Sequence, residues 1–408
     1  MQFHILSFEG PDAYARAGGI SSRITGLSEG LARLGNHTHL WFIGAPDLAG
    51  SESRGNLHLH RWCQWISSYH PGGVYDGEFG KVSDYAASLP PYLVYQTLLP
   101  HLRGGGRATI LAEEWHTVDA VLHLDWLLRK EHVRDQVTIL WNANNTFGFE
   151  RIDWQRLSQA AIITTVSRYM RHCMRFQDVD PIVIPNGIEE TALAPADARA
   201  TAELRSRFAD RTLLAKVARF DPDKRWLLAI DIVADLKRRG ARPLLVARGG
   251  VESHRSDVLA RAAQLGLSVV ERRAEVPGAA ALVGAISDVN GGDVVMLESH
   301  LDADSRRSLF RAADAVLANS GHEPFGLVGL ETMAAGGVAC TGCSGEDYAQ
   351  PGRNALVLQT DDPREFTTLF TRLRNSPLGD QPLRRAARST ARQYVWKRVI
   401  ERALLPRV

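Results

Sequence analysis

Two acids and two bases in this chain have the types and spacing to bind a sugar joined to a phosphate. Glu323 and Glu331 stand with seven residues between them in HEPFGLVGLETMAAGG, 322–337, and Arg219 and Lys224 bracket the FDPD of ARFDPDK. A carboxylate accepts hydrogen bonds from sugar hydroxyls but repels phosphate. A guanidinium offers a diphosphate forked donors, and an ammonium offers it a point charge. His116, in AEEWHTVDA, can donate to or accept from a hydroxyl when its ring is neutral. Gly18 and Gly19 close the loop GPDAYARAGGI, where missing side chains let a backbone approach a ligand and let φ go positive. Asn142 and Asn144, in WNANN, could hydrogen-bond a substrate, although an Asn-rich turn needs no ligand to explain it.

The elements that must position these residues read as a repeated strand, loop and helix. AVLAN at 315–319 is short and apolar enough for a buried parallel strand, and another such run follows at 338–342. The loop between them therefore lies at the carboxyl edge of a sheet, where open α/β sheets take ligands, and the first free N–H groups of its helix fall near Gly326 to Val328. Glu323 stands in that loop and Glu331 about one turn inside the helix. The strand at 213–220 delivers Arg219 to the same kind of edge, with Lys224 opening the next helix. The strand at 109–114 delivers His116 likewise, and strands are also expected at 3–8, 39–43, 137–141, 162–166 and 182–188, with Ser167 capping the helix after 166. Residues 62–92 have poor periodicity and read as loops near a ligand, with Pro90-Pro91 opening a helix to about 102. His37, His39, His58 and His60 alternate with apolar residues and read as solvent faces of strands. The stretch 270–293 is longer and richer in glycine than the pattern needs, and has no assignment.

With 408 residues the chain is too long for one core and is expected to divide into two or three domains. Its 45% hydrophobic and 23% charged shares are those of a globular protein. Forty-eight basic against 46 acidic residues leave a net charge of +2, which disfavours nucleic acid as a partner. No 18-residue apolar stretch marks a transmembrane segment, and MQFHILSFEG enters a strand-like run directly, so the expected location is cytoplasmic. Four cysteines make no disulfide framework, and the CxxC of Cys340 and Cys343 lacks the partners of a zinc site and reads as packing.

HEPFGLVGLE, followed by Met-Ala-Ala-Gly, resembles the Glu-x7-Glu signature of the retaining, nucleotide-sugar-dependent glycosyltransferases of family 4, and more distantly that of glycogen and starch synthases. ARFDPDK resembles that family's Arg and Lys that hold the donor pyrophosphate. AEEWHTVDA resembles the Asp-Trp-His-Thr segment of the synthases, whose histidine contacts the donor sugar. Gly18-Gly19 resembles their phosphate-cradling Gly-Gly loop, but Arg16-Ala17 stands where glycogen synthases carry a lysine. ITTVS and VIPNGI resemble the family's interdomain region.

The resemblance implies an α/β GT-B fold: two Rossmann-like parallel-sheet domains facing across a cleft, 1–187 on the acceptor side and 188–385 on the donor side. A terminal helix at 386–408 would return to the first domain, with Trp396 and Val399 as anchors. It implies a retaining hexosyltransferase with a nucleoside diphosphate sugar as donor and a sugar, lipid or small molecule as acceptor; the two cations and the helix end leave no need for a metal, and no other cofactor is expected. His116, Arg219, Lys224 and Glu323 would be catalytic. Donor binding would use Gly18, Gly19, Arg219, Lys224, Glu323, Phe325, Gly326, Leu327 and Glu331, with Glu331 on the ribose and Glu323 on the sugar. A lipid acceptor would be compatible with a peripheral position at the inner membrane face, and a homo-oligomer is left open. An epimerase or phosphorylase on the same fold, or a noncatalytic nucleotide-sugar binder, are the competing readings.

Overall fold

The structure is a computed structural model that describes residues 1–408 apart from Glu275 and Asn290, both of which fall in the stretch left unassigned from the sequence. The chain forms two compact units, 1–187 with 396–408, and 188–395. The second unit thus runs ten residues beyond 385, and Ala387 and Ala391, on the later turns of the Gln381–Ala391 helix, are fully buried.

Unit 1 is built on β1 (Gln2–Leu6), β2 (His37–Ile43), β3 (Ser51–Arg54), β4 (Leu57–Trp62), β5 (Ala108–Glu113), β6 (Val137–Ala143), β7 (Ile162–Thr165) and β8 (Ile182–Val183). They form one sheet in the order β3-β4-β2-β1-β5-β6-β7-β8, parallel except where β3 turns back along β4. Helices cover both faces of such a sheet, which is why its inner strands are apolar along their length. The chain returns here at its end: Trp396, Val399, Ile400 and Leu404 are buried in one cluster with Ile24, Leu27 and Leu31 of the Gly19–Arg33 helix. Gly30 and Gly187 admit this return, since a Cβ at Gly30 would lie 2.8 Å from Ile400 and one at Gly187 2.5 Å from the Trp396 ring.

Two expectations for this unit fail. Residues 62–92 are not loops throughout: Glu78–Tyr92 is a helix with Pro90 and Pro91 inside its last turn. The prolines lie within a helical run instead of opening one, and that run continues to Arg103, so its expected end near 102 holds. Each removes a backbone donor and crowds the preceding turn, and the chain widens immediately afterwards into a π-helical segment, Leu93–Leu98.

The histidines are not a row of solvated side chains either. His37 is exposed, but parallel register sets His4, His39 and His58 side by side. The rings of His4 and His39 stack at 4.6 Å, those of His39 and His58 at 4.7 Å, and that of His60 lies 3.8 Å from Trp41. His39 Nδ1 and His60 Nε2 share a hydrogen bond at 3.0 Å. Burial, and then the neighbouring imidazoles, push the pKa of His39 down to about 3, and burial pushes His60 down to about 4. An unfolded chain protonates these rings near 6.5, so between that value and about 4 the unfolded state binds more protons and stability falls with falling pH. His39→Gln removes one such group. Its stability-versus-pH slope over this window should be shallower than wild type by about 1.4 kcal/mol per pH unit, measured by urea unfolding at pH 4.5, 5.5 and 6.5. An unchanged slope would show that the ring is charged in the native ladder.

Unit 2 contains β9 (Thr212–Val217), β10 (Pro243–Arg248), β11 (Val269–Arg272), β12 (Val294–Leu297), β13 (Ala315–Ala318), β14 (Ala339–Thr341) and β15 (Leu356–Val357), all parallel in the order β11-β12-β10-β9-β13-β14-β15. One buried cluster joins the sheet to Trp226, Ile230 and Val233 of the Trp226–Arg238 helix, and a second, on Leu204, Leu282, Ile286 and Phe310, covers its other face. Because β9 and β13 are direct neighbours, the loops leaving their carboxyl ends emerge together. This adjacency positions the candidate site.

Candidate functional site

The loops after β9 and β13 are fastened to each other. Gly321 N–H donates to the Asp223 carbonyl at 2.7 Å, and Lys224 Nζ donates to Glu323 Oε2 at 2.6 Å. Trp226 Nε1 holds the Arg219 carbonyl at 2.7 Å, and Phe220 N–H donates to Glu252 at 2.9 Å. The Arg219 guanidinium, on this tethered backbone, is exposed. A third loop, after β14, closes the group: Glu323 N–H donates to Ser344 Oγ at 2.9 Å and Gly345 N–H to the Glu323 carbonyl at 2.8 Å. Lys224 and Glu323 are thus an ion pair, and the neighbouring Arg219 faces solvent.

The Leu327–Ala334 helix begins beside this pair. Its N-cap, Gly326, has φ 82° and ψ 61°, and a Cβ there would stand 2.7 Å from Glu346 Cγ, so the turn requires glycine on both counts. The Tyr348 hydroxyl donates to the Gly326 carbonyl. Phe325 is buried against Tyr348 and Tyr394, so of that residue only the backbone can serve a ligand. Glu331 lies about one turn along, half-buried, 3.3 Å from Arg306; burial raises its pKa and Arg306 opposes the rise.

Sequence reading missed two groups here. Glu346, in the GCSGED loop, is 5% exposed, and burial together with the Glu323 charge pushes its pKa up to about 8, so near neutral pH it is largely a protonated acid able to donate. Lys216, in the middle of β9, is fully buried, donates to Asn319 Oδ1 at 2.8 Å and the Leu317 carbonyl at 3.1 Å, and is pushed down to about 7 by desolvation. Neither has a motif. The acid-bearing loop at a strand end was a signal for the first, and a lysine interrupting the apolar run LLAKV was one for the second.

In unit 1, His116 is 4% exposed, stacked between Phe8 at 4.4 Å and Trp115 at 4.1 Å. Its Nε2 meets Glu78 Oε1 at 2.8 Å, and its Nδ1 is buried without a partner. Burial lowers its pKa and Glu78 counteracts the drop. If Nε2 carries the proton to Glu78, Nδ1 offers a bare lone pair to a hydroxyl. Close by, Tyr75 donates to Glu9 at 2.6 Å, and Glu9 accepts from Ser21 N–H at 3.0 Å. Glu114 is pushed up to about 8 by burial.

Gly18 and Gly19 lie at the start of the Gly19–Arg33 helix, exposed, with no atom within 4 Å of where a Cβ would stand. Gly18 is extended at φ 178°, so the expected positive φ is not found. Asn142 and Asn144 are turned inward: their amide nitrogens donate to Glu113 at 2.9 and 2.8 Å, beside the Arg23 guanidinium that pairs with the same carboxylate at 3.1 Å. Glu113 explains both amides without a substrate, although Asn144 Oδ1 is left unpartnered.

Residues 205–394 match the family model for glycosyl transferases group 1. A D-inositol 3-phosphate glycosyltransferase from Thermomonospora curvata is 28% identical over 114 residues, a match that spans 28% of this chain and 26% of that relative. Among solved structures, sucrose-phosphate synthase from Thermosynechococcus elongatus shares 19% identity with a TM-score of 0.67, covering 98% of this chain and 96% of its own. The catalytic domain of starch synthase IV from Arabidopsis thaliana, bound to ADP and acarbose, shares 17% with a TM-score of 0.65, covering 98% and 99%. At such identities the likeness is one of fold. The second unit of this chain thus matches the group 1 glycosyltransferase model over most of its length, and the whole chain has the two-sheet GT-B fold of these synthases.

Proposed function

We propose that the chain transfers a hexosyl group from a nucleoside diphosphate sugar to an acceptor hydroxyl, with retention of anomeric configuration and without a metal. The observation that carries this reading is the Lys224–Glu323 pair at 2.6 Å, set beside the exposed Arg219 and the start of the Leu327–Ala334 helix. A diphosphate arriving there exchanges places with Glu323 as the partner of Lys224. The carboxylate so released accepts from a sugar hydroxyl. Glu331 would take the ribose hydroxyls, at the expense of its contact with Arg306.

The bond that breaks joins the anomeric carbon to a phosphate oxygen, so the barrier falls as developing negative charge on that oxygen is stabilised. Arg219, Lys224 and the helix N-terminus provide fixed positive potential for it. Glu346, as a neutral acid, adds a donor close to Glu323. In a retaining transfer the acceptor hydroxyl attacks on the face the phosphate leaves, and the departing phosphate takes its proton. On the first unit, the unpartnered Nδ1 of His116 is the proposed acceptor for a sugar hydroxyl and the open backbone of Gly18-Gly19 the proposed phosphate contact. A D-inositol 3-phosphate glycosyltransferase and a sucrose-phosphate synthase among the similar proteins make a phosphorylated polyol or sugar the acceptor class to try first.

The experiment is a panel of ADP-, UDP-, GDP- and dTDP-sugars in EDTA, scored by melting temperature and then by nucleotide release with inositol 3-phosphate or a hexose phosphate. One donor should raise the melting temperature and be consumed, giving a product with the donor's anomeric configuration by proton coupling constants. Binding without turnover across acceptors would leave a noncatalytic binder, and no response to any donor would end the proposal.

A further inference from the structure

Unit 2 has a second concavity with a different chemistry. A cavity of about 440 Å³, in the range of small-molecule sites, is lined by Arg205, Arg311 and Arg388 among Pro195, Ala202 and Ala335. The three arginines come from different elements: Ala198–Arg207, Ala303–Ala312 and Gln381–Ala391. Among the described residues, none of them forms an ion pair with a carboxylate and no acidic side chain lines the cavity. The acid nearest in influence, Asp380, is committed to Arg384 at 2.6 Å.

What the three arginines do have is one backbone carbonyl each. Arg205 donates to Arg311 O at 3.0 Å, Arg311 to Gly336 O at 2.7 Å and Arg388 to Leu193 O at 2.6 Å. These bonds fix the guanidinium groups but do not cancel their charge, and each group has five N–H donors. Burial and the mutual repulsion of Arg205, Arg311 and Arg388 disfavour the charged state of Arg311, yet a guanidinium does not lose its proton. The cost is therefore stored until an anion relieves it. Thr201, also on the lining, has a hydroxyl buried without a partner.

We infer that this pocket binds a phosphate dianion, either free or as the phosphate group of a small phosphorylated molecule whose body rests on the Pro195, Ala202 and Ala335 wall. Three guanidinium forks around one anion suit phosphate geometry. The pocket abuts Ala335 and Gly336, just past the end of the Leu327–Ala334 helix whose other end begins at Gly326 beside Lys224 and Glu323. An anion here would tighten Arg311, which holds the turn just past that helix by the Gly336 carbonyl. The site does not depend on the proposed glycosyl transfer.

The test uses the full chain and inorganic phosphate, a hexose monophosphate and the matching free hexose, each at constant ionic strength with chloride, read by melting temperature. Phosphate at millimolar concentration should raise the midpoint by several degrees, and the free hexose should not. Arg205→Ala, at an exposed position that leaves the core intact, should weaken this response at least tenfold. Ala202→Glu, which puts a carboxylate into the pocket, should raise the resting midpoint and abolish the phosphate response. Lys224→Ala should retain it, which separates this pocket from the donor edge. A response to hexose monophosphate at tenfold lower concentration than to phosphate identifies a phosphorylated small molecule, and equal responses identify the free ion. Absence of any response in wild type, or one that survives both Arg205→Ala and Ala202→Glu, overturns the inference.

Discussion

Lys224→Ala lowers kcat/KM for the nucleotide-sugar donor by about 10²- to 10³-fold, the range seen when one fixed charge or donor is removed from a developing anion. Most of the loss falls on kcat, because the leaving phosphate carries more charge in the transition state than in the bound donor. The fold should survive, since both members of the Lys224–Glu323 pair are partly exposed, at 22% and 19% of their side chains. The pair adds a complication that can be turned into a control. Removing only the lysine leaves Glu323 near the donor diphosphate without a counter-charge, so part of the loss is repulsion and not lost attraction. Lys224→Ala with Glu323→Gln removes that repulsion, and the double variant should then bind the donor more tightly than Lys224→Ala alone while remaining slow. Arg219→Ala, with no carboxylate hydrogen-bonded to it among the described residues, should show the plain loss. Wild-type turnover in Lys224→Ala and Arg219→Ala would remove the electrostatic account of the site.

The order of strands, loops and helices was legible because a parallel sheet buried on both faces writes itself as short apolar runs separated by turn residues. AVLAN and the run after Gly337 became neighbouring strands, and the loop between them emerges where the repeat requires it. The motif-bearing residues were legible for the same reason, since each follows a strand end. Less legible was which polar group meets which. Nothing local in WNANN says that Glu113, some thirty residues earlier, takes both amides. Nor does the alternation of His37, His39, His58 and His60 say that parallel register will stack them with His4. Pro90-Pro91 misled because proline is accepted in the first turn of a helix, whereas here a π-helical segment absorbs it at the far end. The buried acid Glu346 and base Lys216 owe their shifted protonation to surroundings assembled from several loops and strands, which no window of sequence contains.

Trp396→Ala should destabilise unit 1 by about 3–5 kcal/mol, the usual cost of removing a buried tryptophan and leaving its cavity. Trp396 is 3% exposed. Its ring occupies the space that Gly187 leaves by having no side chain, and its Cβ lies 3.2 Å from where a Cβ on Gly30 would stand. A Cβ at Gly187 would clash with the ring and one at Gly30 would press on the Trp396 Cβ, so the backbone on both sides is shaped to this side chain. The Arg23 guanidinium lies 5.9 Å from the ring centroid and, through Glu113, holds Asn142 and Asn144 in place. Loss of the ring exposes that buried charge network to water as well as opening a void. A chain that closes its first unit with its own last thirteen residues, 396–408, therefore makes that unit's stability depend on a segment more than two hundred residues distant in sequence from Gly187. Hydrogen exchange reads this directly: amides of the Gly19–Arg33 helix and of β1 and β5 should exchange about 10²-fold faster or more in Trp396→Ala, following the loss in free energy, while those of β9 and β13 keep their wild-type rates. Equal acceleration in the strands of both units would mean that the terminal segment supports a single cooperative fold, and unchanged rates in the first would mean that the tryptophan fills space its neighbours can do without.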